Sequence, residues 1–447
     1  MNSRSHLAGP LAGRTLVCLV AACLAALPAS AANWSVSRVN HLTLTPPAGV
    51  TVAEMSGVTY LGPAVGGRRF LAAQQMHGAL LQFDLTLSPA GALTAISNIA
   101  SIPISLPHDF EGIAYANVAR NSVFLSEESD EGGPRVWEVS LATGDSLQTV
   151  TSPTVFTANM RPNLGFESLA RSPDGTTMWT ANEQALTVDG PIATASAGTL
   201  VRLLRLDVAG NSVAPAGQFV YEVEPIHGGS AFGSPQSGLS DLVALPDGTL
   251  LALERSVAFT SPLYLNRVYE VDFSGATDVS VGGPANGLNG QSFTPVGKDL
   301  LWSGPADGGS GQNLEGLTLG PQLANGDWVL IGVVDDGDDF SGNTIVAFTA
   351  AANPSADFDA DGDADGADFL AWQRGIGTSM GAAHSQGDAN RDGAVDGADL
   401  DHWRASVSAA AAQTTIPEPA SAAMTATAAL ALLAAAGRRR PAAPVSP

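Results

Sequence analysis

Across residues 33–350 the apolar positions fall in short runs rich in Val, Leu, Phe, Trp and Tyr, broken by Asp-Gly, Asn-Gly and Gly-Gly. No stretch there keeps the period of a long helix, and short apolar or alternating runs between turn residues are the pattern of β-strands. One unit recurs: a short polar signature, an apolar run, a turn, and a second strand with a polar end. The openings are Ser56-Gly57-Val58, Glu111-Gly112-Ile113, Glu167-Ser168-Leu169, Asp241-Leu242-Val243 and Glu315-Gly316-Leu317. The matching second strands are Phe70–Gln75, Val123–Glu128, Met178–Glu183, Leu250–Arg255 and Trp328–Asp336. Ser172-Pro173-Asp174-Gly175 and Pro246-Asp247-Gly248 are good hairpin turns between them. An alternating third strand follows in Arg135–Val139, Arg202–Leu206 and Arg267–Val271. Units of 55 to 74 residues, each a small antiparallel sheet, predict an all-β propeller. Five openings are clear, so five or six blades are expected. A sixth can be assembled from Leu42–Leu44, Ala95–Ile104 and Val279–Val281, or the fifth closes the ring. A β-sandwich is the alternative fold.

Composition supports a turn-rich β protein with a sizeable core: among 447 residues are 49 Gly and 28 Pro, with 45% hydrophobic and only 14% charged. With 43 acidic and 20 basic residues the net charge is −23. Such a chain repels a phosphate backbone, which excludes nucleic acid as a partner and favours cations.

Both ends read as processed segments. Arg4 and Arg14 precede the apolar run Thr15–Leu27, and Ala29-Ser30-Ala31 is a small-residue cleavage site. Residues 1–31 are therefore expected to be an export signal, with a lipid-attachment box at Val20–Cys23 as the alternative. Both cysteines, Cys18 and Cys23, lie there, so the cleaved chain has no disulfide or thiol chemistry. After a linker at 408–415, Ile416-Pro417-Glu418-Pro419 precedes seventeen small or apolar residues, Ala420–Ala436, and then Arg438-Arg439-Arg440. Residues 416–440 resemble the PEP-CTERM sorting signal of Gram-negative bacteria. That resemblance implies exosortase-type sorting machinery, transient membrane contact and an extracellular or envelope location; a plain tail anchor is the alternative.

The acidity is concentrated. Residues 357–401 hold eleven Asp and two Arg. In one loop Asp357, Asp359, Asp361, Asp365 and Asp368 fall at positions 1, 3, 5, 9 and 12, with Gly362 at 6 and Asp363 at 7. In the second, Asp388, Asn390, Asp392, Asp396 and Asp399 take the same positions, with Gly393 at 6 and Ala394 at 7. Oxygen ligands at this spacing, a Gly for the sharp turn and a carbonyl at position 7 are the Ca²⁺-loop pattern. Short amphipathic helices, Phe369–Gly375 and Leu400–Val407, follow the two loops. After a linker at 351–356, residues 357–407 thus read as a small α-helical module for two Ca²⁺, whose binding drives its folding. The duplicated loop and helix resemble a type I dockerin, which implies a cohesin-bearing partner.

The body also resembles a known family, the "esterase-like activity of phytase" domain. The matching stretches are Asp109–Ala114, Gly165–Ala170 with Ser172–Gly175, Ser240–Ala244 with Leu253–Arg255, Asn266–Tyr269, Leu314–Leu317 and Asp339–Asn343. The family is regarded as a β-propeller, and its name implies ester or phosphoric ester hydrolysis.

Chemistry is expected where a hairpin's first strand starts and its second ends, at one sheet edge. That edge pairs Glu111 with Glu127 or Glu128, Glu167 with Glu183, Asp241 with Glu254, and Glu315 with Asp335 or Asp336; Ser56 and Gln74 or Gln75 take the place in the first unit. Radial blades would gather these acids near the axis, a costly arrangement without Arg255, Arg161 or a bound metal. Hard oxygens select Ca²⁺ or Mg²⁺. The resulting expectation is that Ca²⁺ on these acids binds a phosphate or ester oxygen and activates water while another carboxylate acts as base. Glu111, Glu167, Asp241 and Glu315 lead the list; Glu183, Glu254, Asp335 and Arg255 follow. Each acid can instead accept backbone N–H bonds and fix a blade join. No G-x-S-x-G elbow or zinc-binding His pair occurs in the body, and His108 beside Asp109 is the one histidine near the site residues. The rival function is a non-catalytic binding or scaffold propeller of the cell surface or extracellular matrix.

Overall fold

The computed structural model describes residues 32–413 except 76, 107–108, 129–132, 229–235, 360 and 362, and beyond 407 it describes the backbone alone. The expected export segment with its lipid box, the sorting tail, His108 and Gly362 lie outside the described residues.

The strands appear where short apolar runs end in turn residues. The first is β1 (Trp34–Thr43). Then β2 (Met55–Ala64), β3 (Gly67–Gln74), β4 (Ala79–Leu87) and β5 (Leu93–Pro103) form one antiparallel sheet in chain order. β6 (Phe110–Asn117), β7 (Ser122–Glu127), β8 (Arg135–Ser140) and β9 (Ser146–Thr151) form the second. After a short helix, α1 (Thr154–Asn159), come β10 (Ala170–Arg171), β11 (Thr177–Ala181), β12 (Thr199–Ala209) and β13 (Ser212–Val223). The fourth sheet is β14 (Gln236–Ala244), β15 (Leu250–Val257), β16 (Tyr264–Asp272) and β17 (Gly297–Gly304). The fifth holds β18 (Leu314–Gln322), β19 (Trp328–Val334) and β20 (Thr344–Ala352), and its outer strand is β1.

The result is an all-β propeller of five blades. The innermost strands β2, β6, β10, β14 and β18 are neighbours around the axis, with β18 beside β2. β1 closes the ring by pairing antiparallel with β20 from Trp34↔Ala352 to Thr43↔Thr344. Closure in this way leaves only short blade edges exposed. The segments offered for a sixth blade are spent elsewhere: Leu42 lies in β1, Ala95 opens into β5, and Val279 is a buried loop residue. A sandwich is excluded by the same ring.

Each blade-to-blade interface has its own core. Phe70, Phe83 and Leu85 of the first blade pack on Ile331, Val333 and Ile345 of the fifth. Val123, Leu125 and Val139 meet Leu71 and Leu80, Phe124 meets Leu204 and Leu206, Leu242 and Ala252 meet Leu203 and Tyr221, and Leu253 and Val268 meet Leu330 and Phe348. Burying each such side chain contributes about 1.5–3 kcal/mol, so every blade-to-blade interface adds to stability.

The inner strands nearly touch. A Cβ at Gly112 would lie 2.5 Å from the Leu169 nitrogen, and one at Gly57 would lie 2.3 Å from the Glu111 carbonyl oxygen. The Glu-Gly and Ser-Gly openings are thus explained: the first residue supplies a polar group and the second removes the side chain where five backbones converge.

Helices α2 (Gly366–Gly375) and α3 (Gly397–Gln413) follow the two acidic loops, and α3 runs on through most of the stretch expected to be a linker. The repeats are reciprocal. Trp372 Nε1 donates to the Asp396 carbonyl at 2.8 Å, and Trp403 Nε1 donates to the Asp365 carbonyl at 2.7 Å. Among the described residues no helix is long and apolar enough to cross a membrane.

Candidate functional site

Strand register decides which side chains reach the axis. In the hairpins Met55 pairs with Gln74, Phe110 with Glu127, Leu239 with Glu254 and Leu314 with Val334, and Phe166 bridges Asn182. The apolar first members fix this set in the blade interior. The next residue on each strand faces the other way. On the inner strand that residue is Ser56, Glu111, Glu167, Ser240 or Glu315; on the second it is Gln75, Glu128, Glu183, Arg255 or Asp335. Five pairs therefore ring one mouth of the axis.

The expected pairings hold in four blades, and the register selects Gln75 over Gln74, Glu128 over Glu127 and Asp335 over Asp336. Glu127 instead accepts from Trp137 Nε1 at 2.6 Å, and Asp336 accepts from the Glu54 N–H at 2.7 Å. In the fourth blade the expected pair Asp241 and Glu254 is one residue out of register at each strand. Asp241 occupies the place of the glycines. Its carboxylate receives N–H bonds from Leu317 at 2.7 Å, Leu242 at 2.8 Å and Leu169 at 3.4 Å, so it ties the fourth blade to both neighbours. Glu254 is buried between the third and fourth blades, bonded by Tyr221 OH and Lys298 Nζ, each at 2.8 Å, and by the Glu224 N–H at 3.0 Å. The structure does not bring these two into the ring. Arg161 also stays out, bracing the Ala185 and Gly190 carbonyls.

Arg255 is the ring's cation. It bonds Glu183 at 2.6 Å and Glu315 at 3.0 Å, and its Nη1 donates to Asn313 Oδ1 at 3.0 Å. Asn313 Nδ2 donates to Glu315 at 2.9 Å and to Asp335 at 3.0 Å. Gln75 donates to Glu111 Oε2 at 3.1 Å, and the Gly165 N–H donates to Glu128 at 2.6 Å. Glu111 Oε1 and Glu315 Oε2 are buried with no partner.

One cation against six ring acids leaves the carboxyls hard to ionise. Burial, then repulsion from Glu315, Glu128 and Asp109, pushes Glu111 well above the usual carboxylate range. Glu167 is raised in the same way by burial and by Glu128, Glu111, Glu183 and Glu315. Burial lifts Glu128 to about 7 against the Gly165 N–H bond. Burial lifts Glu315 to about 8 although Arg255 opposes it, and Asp335 to about 6 against the Gly337 N–H and Arg255. Glu183 is raised by burial and restrained by Arg255.

Asp109, Glu111 and Glu128 each offer an oxygen within 4.8 Å of the other two. Ca²⁺–oxygen bonds of about 2.3–2.6 Å fit that spacing, and the unpartnered Glu111 oxygen supplies a free ligand atom. Sequence reasoning left Asp109, Asn313 and Ser240 outside its expected edge and named Glu128 and Gln75 only as alternatives to Glu127 and Gln74. Aligning Met55, Phe110, Phe166, Leu239 and Leu314 as interior positions would have chosen Gln75 and Glu128 and found Ser240, but not Asp109 or Asn313.

In the C-terminal module, Asp357, Asp359 and Asp361 group within 4.8 Å, as do Asp363, Asp365 and Asp368. Position 12 closes each loop through its backbone: Asp368 accepts from the Phe358 and Asp365 N–H groups at 2.6 and 2.7 Å, and Asp399 from those of Ala389 and Asp396 at 2.8 and 2.7 Å. Position 9 caps the helix, Asp365 accepting from Ala367 N–H at 2.6 Å and Asp396 from Ala398 N–H at 2.7 Å. Loop positions 9 and 12 are thus helix caps as well as candidate ligands.

No curated protein matches the chain. Among solved structures, an endo-arabinase from Bacteroides thetaiotaomicron is 13% identical, covers 66% of this chain and 93% of its own, and superposes with a TM-score of 0.36. An α-L-arabinofuranosidase from Lactobacillus brevis is 10% identical over 65% of this chain and 89% of its own, with a TM-score of 0.38. The family model "Esterase-like activity of phytase" matches residues 50–338, well over half the chain and nearly the whole ring, so the chain belongs to this phytase-like family.

Proposed function

We propose that the chain is an exported hydrolase of esters or phosphate esters, with the acidic ring as its site and Ca²⁺ as its cofactor. The observation that carries this is the Asp109, Glu111 and Glu128 group with its unpartnered buried oxygen. Asp109, Glu111 and Glu128 would hold Ca²⁺, which would supply Lewis acidity toward a phosphoryl or carbonyl oxygen. Asp335, at about 6, is ionised at neutral pH and takes the proton of the attacking water. Glu315, at about 8, carries a proton for the leaving alkoxide. Asn313 holds both carboxyls, and Arg255 fixes Glu315 and offers its charge to an anionic substrate. Water oxygen bonds to phosphorus or carbon, the ester bond breaks, and an acid and an alcohol leave.

Around this site, the dockerin-like module with two Ca²⁺ supports attachment to a cohesin-bearing protein, and the two terminal signals support export and exosortase-type sorting to the envelope or beyond. Purified protein is assayed for bound metal and for turnover of p-nitrophenyl acetate, p-nitrophenyl phosphate and phytate in Ca²⁺ and in EDTA. Turnover should need Ca²⁺, and Glu111→Gln and Glu315→Gln should each lower it at least about 100-fold with the fold intact. Full rates in both variants refute the site. No turnover of any substrate leaves the scaffold reading, which one feature favours: Arg255 is already committed to Glu183, Glu315 and Asn313.

A further inference from the structure

The second acidic loop is not free in solution. Arg391, at loop position 4, is 5% exposed and has a left-handed backbone, φ +57°. Its Nη1 pairs with Asp247 of the Pro246–Gly248 turn at 3.1 Å, and its Nη2 bonds Asn33 Oδ1. The receiving notch is built by the propeller itself. Trp34 Nε1 donates to Asp247 at 3.2 Å, and Glu270 holds Asn33 through its backbone N–H at 2.9 Å and its side-chain amide at 2.5 Å. Asp247 and Glu270 are 7% and 6% exposed. Two such buried acids are costly without a nearby cation, and Arg391 is the one the fold supplies. Gly393 seals the contact, since a Cβ there would lie 3.0 Å from the Pro246 carbonyl oxygen. The first loop has Ala360 at the matching position and brings no charge of its own to such a notch.

We infer that the Pro246–Gly248 turn, with Asn33 and Trp34, is the propeller's docking surface for the second loop of its own C-terminal module, and that docking and Ca²⁺ loading of that loop favour each other. This rests on reading the loop as a Ca²⁺ site. Arg391 lies between Asn390 and Asp392, whose oxygens would be ligands at loop positions 3 and 5, while Arg391 itself points to the notch. The same turn is fixed from within, because Asp388 accepts the N–H groups of Asp392 at 3.2 Å and Gly393 at 2.8 Å. The ion and the notch therefore select one conformation of residues 388–393, and two ligands of one conformation help each other's binding reciprocally.

The test uses the full chain with Cys18 and Cys23 replaced by serine and spin labels at Asn325→Cys and Gln373→Cys, both exposed. With Ca²⁺, a single narrow distance is expected; Arg391→Ala and Asp247→Asn should each broaden it. Calorimetry should find one Ca²⁺ site about tenfold weaker in both variants and the other unchanged. A distance that stays narrow in both variants overturns the docking surface. Unchanged affinity at both sites overturns the coupling. If the unmutated chain binds no Ca²⁺ in this module yet keeps a narrow, Arg391-dependent distance, the Ca²⁺ reading and the coupling fall and the docking surface stands.

Discussion

Raising the pH in a chelator should weaken this protein. In the folded ring Asp335 titrates at about 6, Glu128 at about 7 and Glu315 at about 8, against ordinary values of 3.8 and 4.5, with burial as the first cause each time. Glu111 and Glu167 are also raised. A carboxyl with a raised folded pKa keeps its proton where the unfolded chain has lost it. Its contribution is full below about pH 4 and is lost as pH rises through the folded value. Each retained proton is worth about 1.4 kcal/mol per pH unit. One net proton between pH 5 and 7 therefore removes about 3 kcal/mol, a large part of the 5–15 kcal/mol typical of a domain. These acids interact, so their contributions do not simply add. Asp388 in the module, raised to about 7 by burial, acts in the same direction. Groups with depressed values, such as Asp84, Asp278 and Asp338, act only as pH falls through their range, so they set the acid limb and leave the slope above pH 5 alone. Urea unfolding followed by tryptophan fluorescence at pH 5, 6, 7 and 8 measures this directly. In EDTA stability should fall steadily with pH; in Ca²⁺ the slope should flatten, since the ion takes the place of the protons. Glu128→Gln should remove up to about 1.4 kcal/mol per pH unit from the EDTA slope near pH 6. A flat or rising curve in EDTA refutes the crowded-acid ring.

Arg255→Met should destabilise the metal-free protein by about 3–5 kcal/mol at pH 8, where it strands Glu183 and Glu315, and by clearly less at pH 5, where those acids hold protons; paired urea melts check the difference. Asp241→Ala should cost about 1–3 kcal/mol by leaving the Leu169 and Leu317 N–H groups unbonded, and assays should show KM little changed. Removing residues 32–43 takes away β1, so the fifth blade loses its outer strand and Trp34 leaves its core; calorimetry should show a broadened or missing unfolding transition.

The ring was legible in the chain because one physical demand repeats. Backbones meeting at an axis favour a small residue beside a polar one, and in four of the five blades this leaves Ser-Gly, Glu-Gly or Glu-Ser before an apolar run. Hairpin turns such as Pro173-Asp174-Gly175 mark the return. The closing strand was not legible, because β1 and β20 pair across most of the chain and nothing local in Trp34–Thr43 names its partner. Blade four exposes the deeper limit. Its acids sit one place from where the other blades put theirs, and a strand converts one residue into the opposite face. Reading acids as a class matched Asp241 and Glu254 to Glu111 and Glu128; reading the apolar frame matches Ser240 and Arg255 instead. The charge pattern then changes meaning. With Asp241 and Glu254 in the ring, the fourth blade would add two more acids and no cation at its own two positions. A ring with Arg255 in the fourth blade has Glu183 and Glu315 paired on that side, while Asp109, Glu111 and Glu128 gather across the mouth, with Glu111 Oε1 left unpartnered. The break in the repeat divides the mouth into a side where Arg255 offsets the acids and a side where three acids gather, and the proposed hydrolase would use that asymmetry to hold a substrate between them.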